Sequence, residues 1–178
     1  MVDATIQAFG RLDIAVNNAG IGGEQHPTGS YSIEGWQKVI DINLSSMFYC
    51  KRYQIPRMLQ SGGGAIVNMA SILGSVGFAS SPASVAAKHG VVGLTKSAAL
   101  EYAKQGIPIN SVGPAFTAPP LVSTSLDEED LKAIKAMHAV GQLGEPQEVA
   151  YLLAFLCSDQ VSFLTSGYYL ADGGYTAQ

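Results

Sequence analysis

Four short apolar runs punctuate this chain: residues 12–17 (LDIAVN), 65–69 (AIVNM), 107–112 (IPINSV) and 168–171 (YYLA). The segments between them are longer and carry helical periodicity. Short apolar strands joined by helix-length connections pair in parallel, because a parallel crossover needs a dozen or more residues and is usually a helix. The expected fold class is therefore α/β: a partial Rossmann-like, doubly wound parallel sheet of about four strands.

The connections support this. Ser32 opens a long helical pattern through about residue 60, with Glu34 in its first turn and Pro56 bending its end. Gly62, Gly63 and Gly64 break that helix before the second run. Residues 83–104 form an Ala-rich helix capped by Gly106. Asp127, Glu128, Glu129 and Asp130 open a short helix, and Pro146 starts another through about Leu156. The chain itself begins in the tail of a helix. No repeat, low-complexity tract or linker divides it, so residues 1–178 are expected to form one domain.

Composition narrows the function. With 178 residues, 47% of them hydrophobic, the chain can bury a sizeable core. No apolar run approaches the roughly 20 residues that a membrane span requires. The start, MVDATIQAFGRLD, lacks the basic opening and long apolar run of a secretory leader. The expectation is a cytoplasmic protein that does not bind membranes. A net charge of −4 without a Lys/Arg cluster argues against nucleic-acid binding. Cys50 and Cys157 lie in apolar helical patterns and read as buried thiols rather than a disulfide. His26, His89 and His138 have no metal-ligand spacing, so no metal is expected.

The chemistry concentrates in residues 71–93, SILGSVGFASSPASVAAKHGVVG. A strand ends at Ser71, and a following helix carries Ser84 and Lys88 one turn apart on one face. Together with NNAG (17–20), DINL (41–44), INSVGPAF (109–116) and YYLADGGYTAQ (168–178), this segment resembles the short-chain dehydrogenases/reductases. The resemblance runs from about residue 3 to the C-terminus. It implies an NAD(P)-dependent oxidoreductase that interconverts small alcohols and carbonyls by hydride transfer.

The resemblance also implies roles. Asn43, Ser71 and Lys88 match catalytic positions: Asn43 supports a water leading to the lysine, Ser71 hydrogen-bonds the substrate oxygen, and Lys88 binds the nicotinamide ribose. Asn17, Ala19, Gly20, Lys88, Pro114, Phe116 and Thr117 match positions along the NAD or NADP site. Residues 117–140 match a variable lid over the substrate pocket, where Leu121, Val122 and Leu126 suggest an apolar substrate. Helices 32–60 and 84–105 match the family's dimer interface, so a homo-oligomer is expected.

Several positions depart from that pattern. The family's catalytic tyrosine stands four residues before the lysine, and here that position is Ser84. A serine hydroxyl is far less acidic than a phenol and too short to reach the same oxygen. Tyr49, Tyr53 and Tyr102 lie on helices away from that turn, so Ser84 is expected to be non-catalytic. Ala115 and Pro119 replace a glycine and a threonine. Pro108 would fall inside the third strand, removing a ladder N–H.

The glycine-rich turn that cradles a pyrophosphate is also absent. Gly20–Gly23 lacks the GxGxxG spacing, and Gly62–Gly64 precedes a strand. Residues 12–17 would form a buried strand with no upstream partner, as if an opening of two β-α units, roughly 60 residues, were missing. The expectation is a truncated family member with weak dinucleotide binding and low or no activity. The alternatives are a non-catalytic oligomerising scaffold or partner subunit, or a fragment of a longer gene in which Met1 is not the true start.

Overall fold

All four apolar runs form strands in a computed structural model that describes residues 1–118 and 127–177. They are β1 (Ile14–Asn17), β2 (Ala65–Met69), β3 (Ile109–Pro114) and β4 (Tyr168–Ala171). The sheet is wholly parallel in the order β1-β2-β3-β4, so each crossover returns the chain to the adjacent strand. The α/β, Rossmann-like class expected from the sequence is the class observed. No helix among the described residues is long and apolar enough to cross a membrane.

The helices are α1 (Val2–Phe9), α2 (Ile33–Ile40), α3 (Ser46–Gln60), α4 (Pro82–Tyr102), α5 (Glu128–Ala136) and α6 (Pro146–Leu156). Their ends follow local chemistry. Ser32 accepts from Gly35 N–H at 2.9 Å and caps α2. Asp127 accepts from Asp130 N–H at 2.8 Å and caps α5. Glu145 and Glu148 form a reciprocal capping box around Pro146 at the start of α6.

The single helix expected over 32–60 is two α-helices joined by a π-helical turn, Asp41–Ser45. A close packing contact accompanies the extra residue. Leu44 presses against α4 at Gly90, where a Cβ would stand 2.8 Å from Leu44 Cδ2. The helix expected over 83–104 starts at Pro82 and ends at Tyr102, followed by a 3₁₀ turn to Gly106 in the left-handed region.

Pro108 needs a correction. It lies immediately before β3, and its carbonyl accepts from Ile66 N–H at 3.0 Å. Pro108 thus stands at the entry to β3, where proline is tolerated, and not inside the strand.

Helices α3 and α4 cover one sheet face. Their core contains Ala15, Ile55, Met58, Ile66, Ala98, Ala99 and Ile109. On the same face Asn17, Gln54, Asn68 and Thr95 form a buried polar chain. Asn17 Nδ2 donates to Asn68 Oδ1 at 2.9 Å, Gln54 Nε2 donates to Asn17 Oδ1 at 2.8 Å, and Asn68 Nδ2 donates to Thr95 Oγ1 at 3.0 Å. Every amide finds a partner, which a buried polar chain requires. The other face is covered by α6, over Val67, Met69 and Val112.

Candidate active site

The carboxyl end of a parallel sheet is where loops converge, and the motif residues gather there. Lys88 projects from α4 and donates from Nζ to the Met69 carbonyl at the end of β2, at 2.9 Å. Burial lowers its ammonium from 10.5 to about 8. The loop after β1 lies against it: a Cβ on Gly20 would stand 3.7 Å from Lys88 Nζ and 3.4 Å from Asn43 Oδ1. Asn43, Lys88 and Gly20 therefore meet.

Asn43 sits in the π turn and is buried. Its Nδ2 donates to Ile21 O at 2.8 Å, and its Oδ1 accepts from Ile21 N–H at 2.8 Å. These two bonds pin the loop after β1 to the α2–α3 junction. Asn43 thus has a structural job beside the catalytic position it matches.

Ser71 follows β2 and caps a short 3₁₀ turn, its Oγ accepting from Leu73 N–H at 3.3 Å. From β4, the Tyr168 hydroxyl donates to the Ser71 carbonyl. Burial, then the nearby Asp172 carboxylate, pushes that phenol up to about 12, so it stays protonated. Sequence reasoning missed Tyr168, which lies 97 residues from its partner.

Ser84 is buried on α4. Its Oγ donates to the Gly22 carbonyl at 2.5 Å. Gly23 beside it takes a left-handed φ of 83°, and a Cβ there would stand 2.7 Å from Tyr31 Oη. Tyr31, also passed over by sequence reasoning, accepts from Glu24 N–H at 3.1 Å. Tyr168 and Tyr31 each hold a backbone group beside the site.

The remaining positions are mixed. Asn17's side-chain donors are both engaged, by Gln54 on α3 and Asn68 on β2, so a cofactor would meet this residue only through its backbone. Ala19 and Gly20 are exposed in the loop. Pro114 ends β3. Phe116 O accepts from Gly144 N–H at 3.1 Å, and Thr117 bridges Gly144. The Phe116 ring touches Phe78, His138 and Tyr175, giving this end of the site an aromatic wall. Pro119, Leu121, Val122 and Leu126 lie outside the described residues. Cys50 and Cys157 are free and half-buried. Among the described residues no group of His, Cys, Asp and Glu could hold a metal ion.

Comparison with known proteins places this geometry. Residues 1–176 match the family described as enoyl-(acyl carrier protein) reductase. Cyclohexanol dehydrogenase of Acinetobacter sp. is 50% identical over 99% of this chain and 69% of its own length. Cis-4-hydroxycyclohexanecarboxylate dehydrogenase of Sinomonas cyclohexanicum is 41% identical over 99% of this chain and 71% of its own. Among solved structures, ElxO with NADP bound superimposes with a TM-score of 0.95 at 34% identity, covering 99% of this chain and 72% of that one.

Proposed function

The chain belongs to the short-chain dehydrogenase/reductase family, and from that premise we propose that it is an NAD(P)-dependent oxidoreductase of ring alcohols and ketones, weak or inactive as an isolated chain. Relatives named for cyclohexanol, hydroxycyclohexanecarboxylate and levodione support a ring substrate. The aromatic wall around Phe116 suits such a ring. The observation that carries the reading is the pair on α4: Lys88 held at the end of β2, and Ser84 turned into the loop.

The residues present fit half of a dinucleotide. Lys88 Nζ has three donors and spends one on Met69 O, leaving two for ribose hydroxyls. Gly20 lies beside it, where a Cβ would stand 3.7 Å from Nζ. Among the described residues no glycine-rich turn opening a helix follows a strand, so none of them offers a cradle for the pyrophosphate. When bound, the nicotinamide would exchange a hydride with the substrate carbon. Ser71 Oγ would donate to the substrate oxygen. The Ser84 hydroxyl, committed to Gly22 O, would not supply the proton. Loss of a positioned general acid costs about 10²–10⁴ in rate.

Fluorescence titration of the 178-residue chain with NADH and NADPH tests this. The expected result is no saturation below millimolar, and no reduction of cyclohexanone by the chain or by Ser84→Tyr alone. Micromolar binding would overturn the weak-cofactor part, and turnover by Ser84→Tyr would then be expected. A second reading, an oligomerising partner subunit, draws on the helices themselves. Phe48, Tyr49 and Tyr53 on α3 and Leu100 on α4 are exposed, an apolar display suited to a second copy. Sedimentation of the chain as a monomer would remove that reading.

A further inference from the structure

We propose that Ser84 is a positioning residue, its hydroxyl fastening the Ile21–Gly23 loop to α4 and closing the site over Lys88. The inference rests on Lys88 being the cation of the proposed site. The geometry has two points of attachment on one helix face. Gly22 O meets Ser84 Oγ at 2.5 Å. One turn further along α4, Gly20 lies beside Lys88 Nζ, where a Cβ would stand 3.7 Å away. Between these points Ile21 is gripped at both its N–H and its carbonyl by Asn43. Beyond them Glu24 N–H donates to Tyr31 Oη at 3.1 Å.

The loop is thus held at successive residues by side chains from the π turn, α4 and the segment before α2. Ser84 is the attachment to the helix that also carries Lys88. A hydroxyl spent on a backbone carbonyl is not available as an acid, and the position has a structural task instead.

The closed loop helps to keep Lys88 dry, and its lowered ammonium has burial as its cause. The groups packed around it add no charge. Met69 contributes a carbonyl from β2, Asn43 is neutral, and Tyr168 on β4 stays protonated to about 12. His89, next along α4, turns back to Val85 O at 3.0 Å. Unfastening the loop should therefore let water reach Nζ and return Lys88 toward an ordinary lysine.

The test uses the whole chain without cofactor. Lys88 is titrated by NMR of isotope-labelled lysine side chains, assigned through Lys88→Arg, while amide exchange is followed at Ile21 and Glu24. In Ser84→Ala those two amides should exchange roughly tenfold faster, the worth of one hydrogen bond. The Lys88 midpoint should rise from about 8 toward 10.5. Ser84→Thr keeps a hydroxyl and should restore both readings.

Unchanged exchange and titration in Ser84→Ala would overturn the proposal, as would equal shifts in the Ala and Thr variants. Should Ser84→Ala fail to fold, wild type and Ser84→Thr decide. An ordinary lysine midpoint in wild type would show that the closed loop does not exclude water. Neither reading involves NAD(P), so a cofactor that fails to bind would leave this inference standing, and its failure would leave the proposed reaction standing.

Discussion

The two faces of the sheet are built to different standards. On the α3–α4 face, Ala15 and Ile66 pack against Met58, Ala99 and Ile109, and the Asn17–Gln54–Asn68–Thr95 chain is fully bonded. On the α6 face, the cover reaches β2 and β3 but stops short of β1. Parallel register puts Val16 beside Val67 on that face, yet Val16 is 43% exposed and Ile14 is 50% exposed. The site follows this division. Asn43, Ser84 and Lys88 stand on elements of the covered face; Asn43 makes two side-chain hydrogen bonds and Ser84 and Lys88 one each. Completeness of packing and completeness of the site go together, because a side chain is positioned only as well as the elements that carry it.

The largest test of this difference is a cavity on the covered face. Met58 is fully buried between α3 and the sheet. Met58→Ala should cost about 2–5 kcal/mol, the range for truncating a buried side chain that its surroundings only partly refill. Urea unfolding followed by circular dichroism measures it. A loss below about 1 kcal/mol would mean that the α3–α4 face is much looser than its burial implies.

A second test lies on the same face and has the opposite sign. Lys51 on α3 is buried, and its Nζ has no hydrogen-bond partner. Burial lowers its ammonium from 10.5 to about 8, against a small opposing pull from Cys50. Between those two values the unfolded chain holds a proton that the folded chain has released, so stability rises with pH across that window. Below about 8 the folded chain bears the full penalty of a buried charge. Lys51→Met keeps the long stem and removes the charge. It should stabilise the fold by about 1–3 kcal/mol at neutral pH, with the gain shrinking as pH climbs toward 10. A destabilised Lys51→Met would mean that the ammonium finds an acceptor in solution, and a second copy docked on α3 could supply one.

What the sequence made legible follows from the range of the forces involved. All four strands were readable because strands buried in a parallel sheet are nearly continuous apolar runs, and the helix starts at Ser32, Asp127 and Pro146 carry local signals. The π turn was not readable. Nothing in Asp41–Ser45 signals it locally; the fit of Leu44 against Gly90, far along the chain, accompanies it. Pro108 was misplaced by the usual uncertainty of a strand boundary, and it moved from defect to neutral once β3 was seen to begin at Ile109. In the site, Asn43, Ser71 and Lys88 came from the family resemblance, and only the one-turn spacing of Ser84 and Lys88 on α4 is a local fact. The partner of Ser84 lies 62 residues away, and Tyr168 meets Ser71 across the sheet. Long-range bonds of this kind leave no mark in the spacing of either residue.

The smallest expected effect belongs to the uncovered face, and its smallness is the point. Ile14 and Val16 alternate with the buried Ala15 and Asn17, so each projects onto the side that α6 does not reach. Threonine keeps the β-branched shape that a strand favours and replaces apolar surface with a hydroxyl. Because about half of each side chain is already in water, Ile14→Thr and Val16→Thr should each change stability by no more than about 0.5 kcal/mol. They should also reduce self-association, since β1 is an edge strand with apolar side chains and unpaired backbone groups. Melting curves at several protein concentrations read both effects at once. A loss of about 2 kcal/mol or more, growing with concentration, would place these residues in a buried interface in solution. The two faces would then differ in what covers them rather than in whether they are covered.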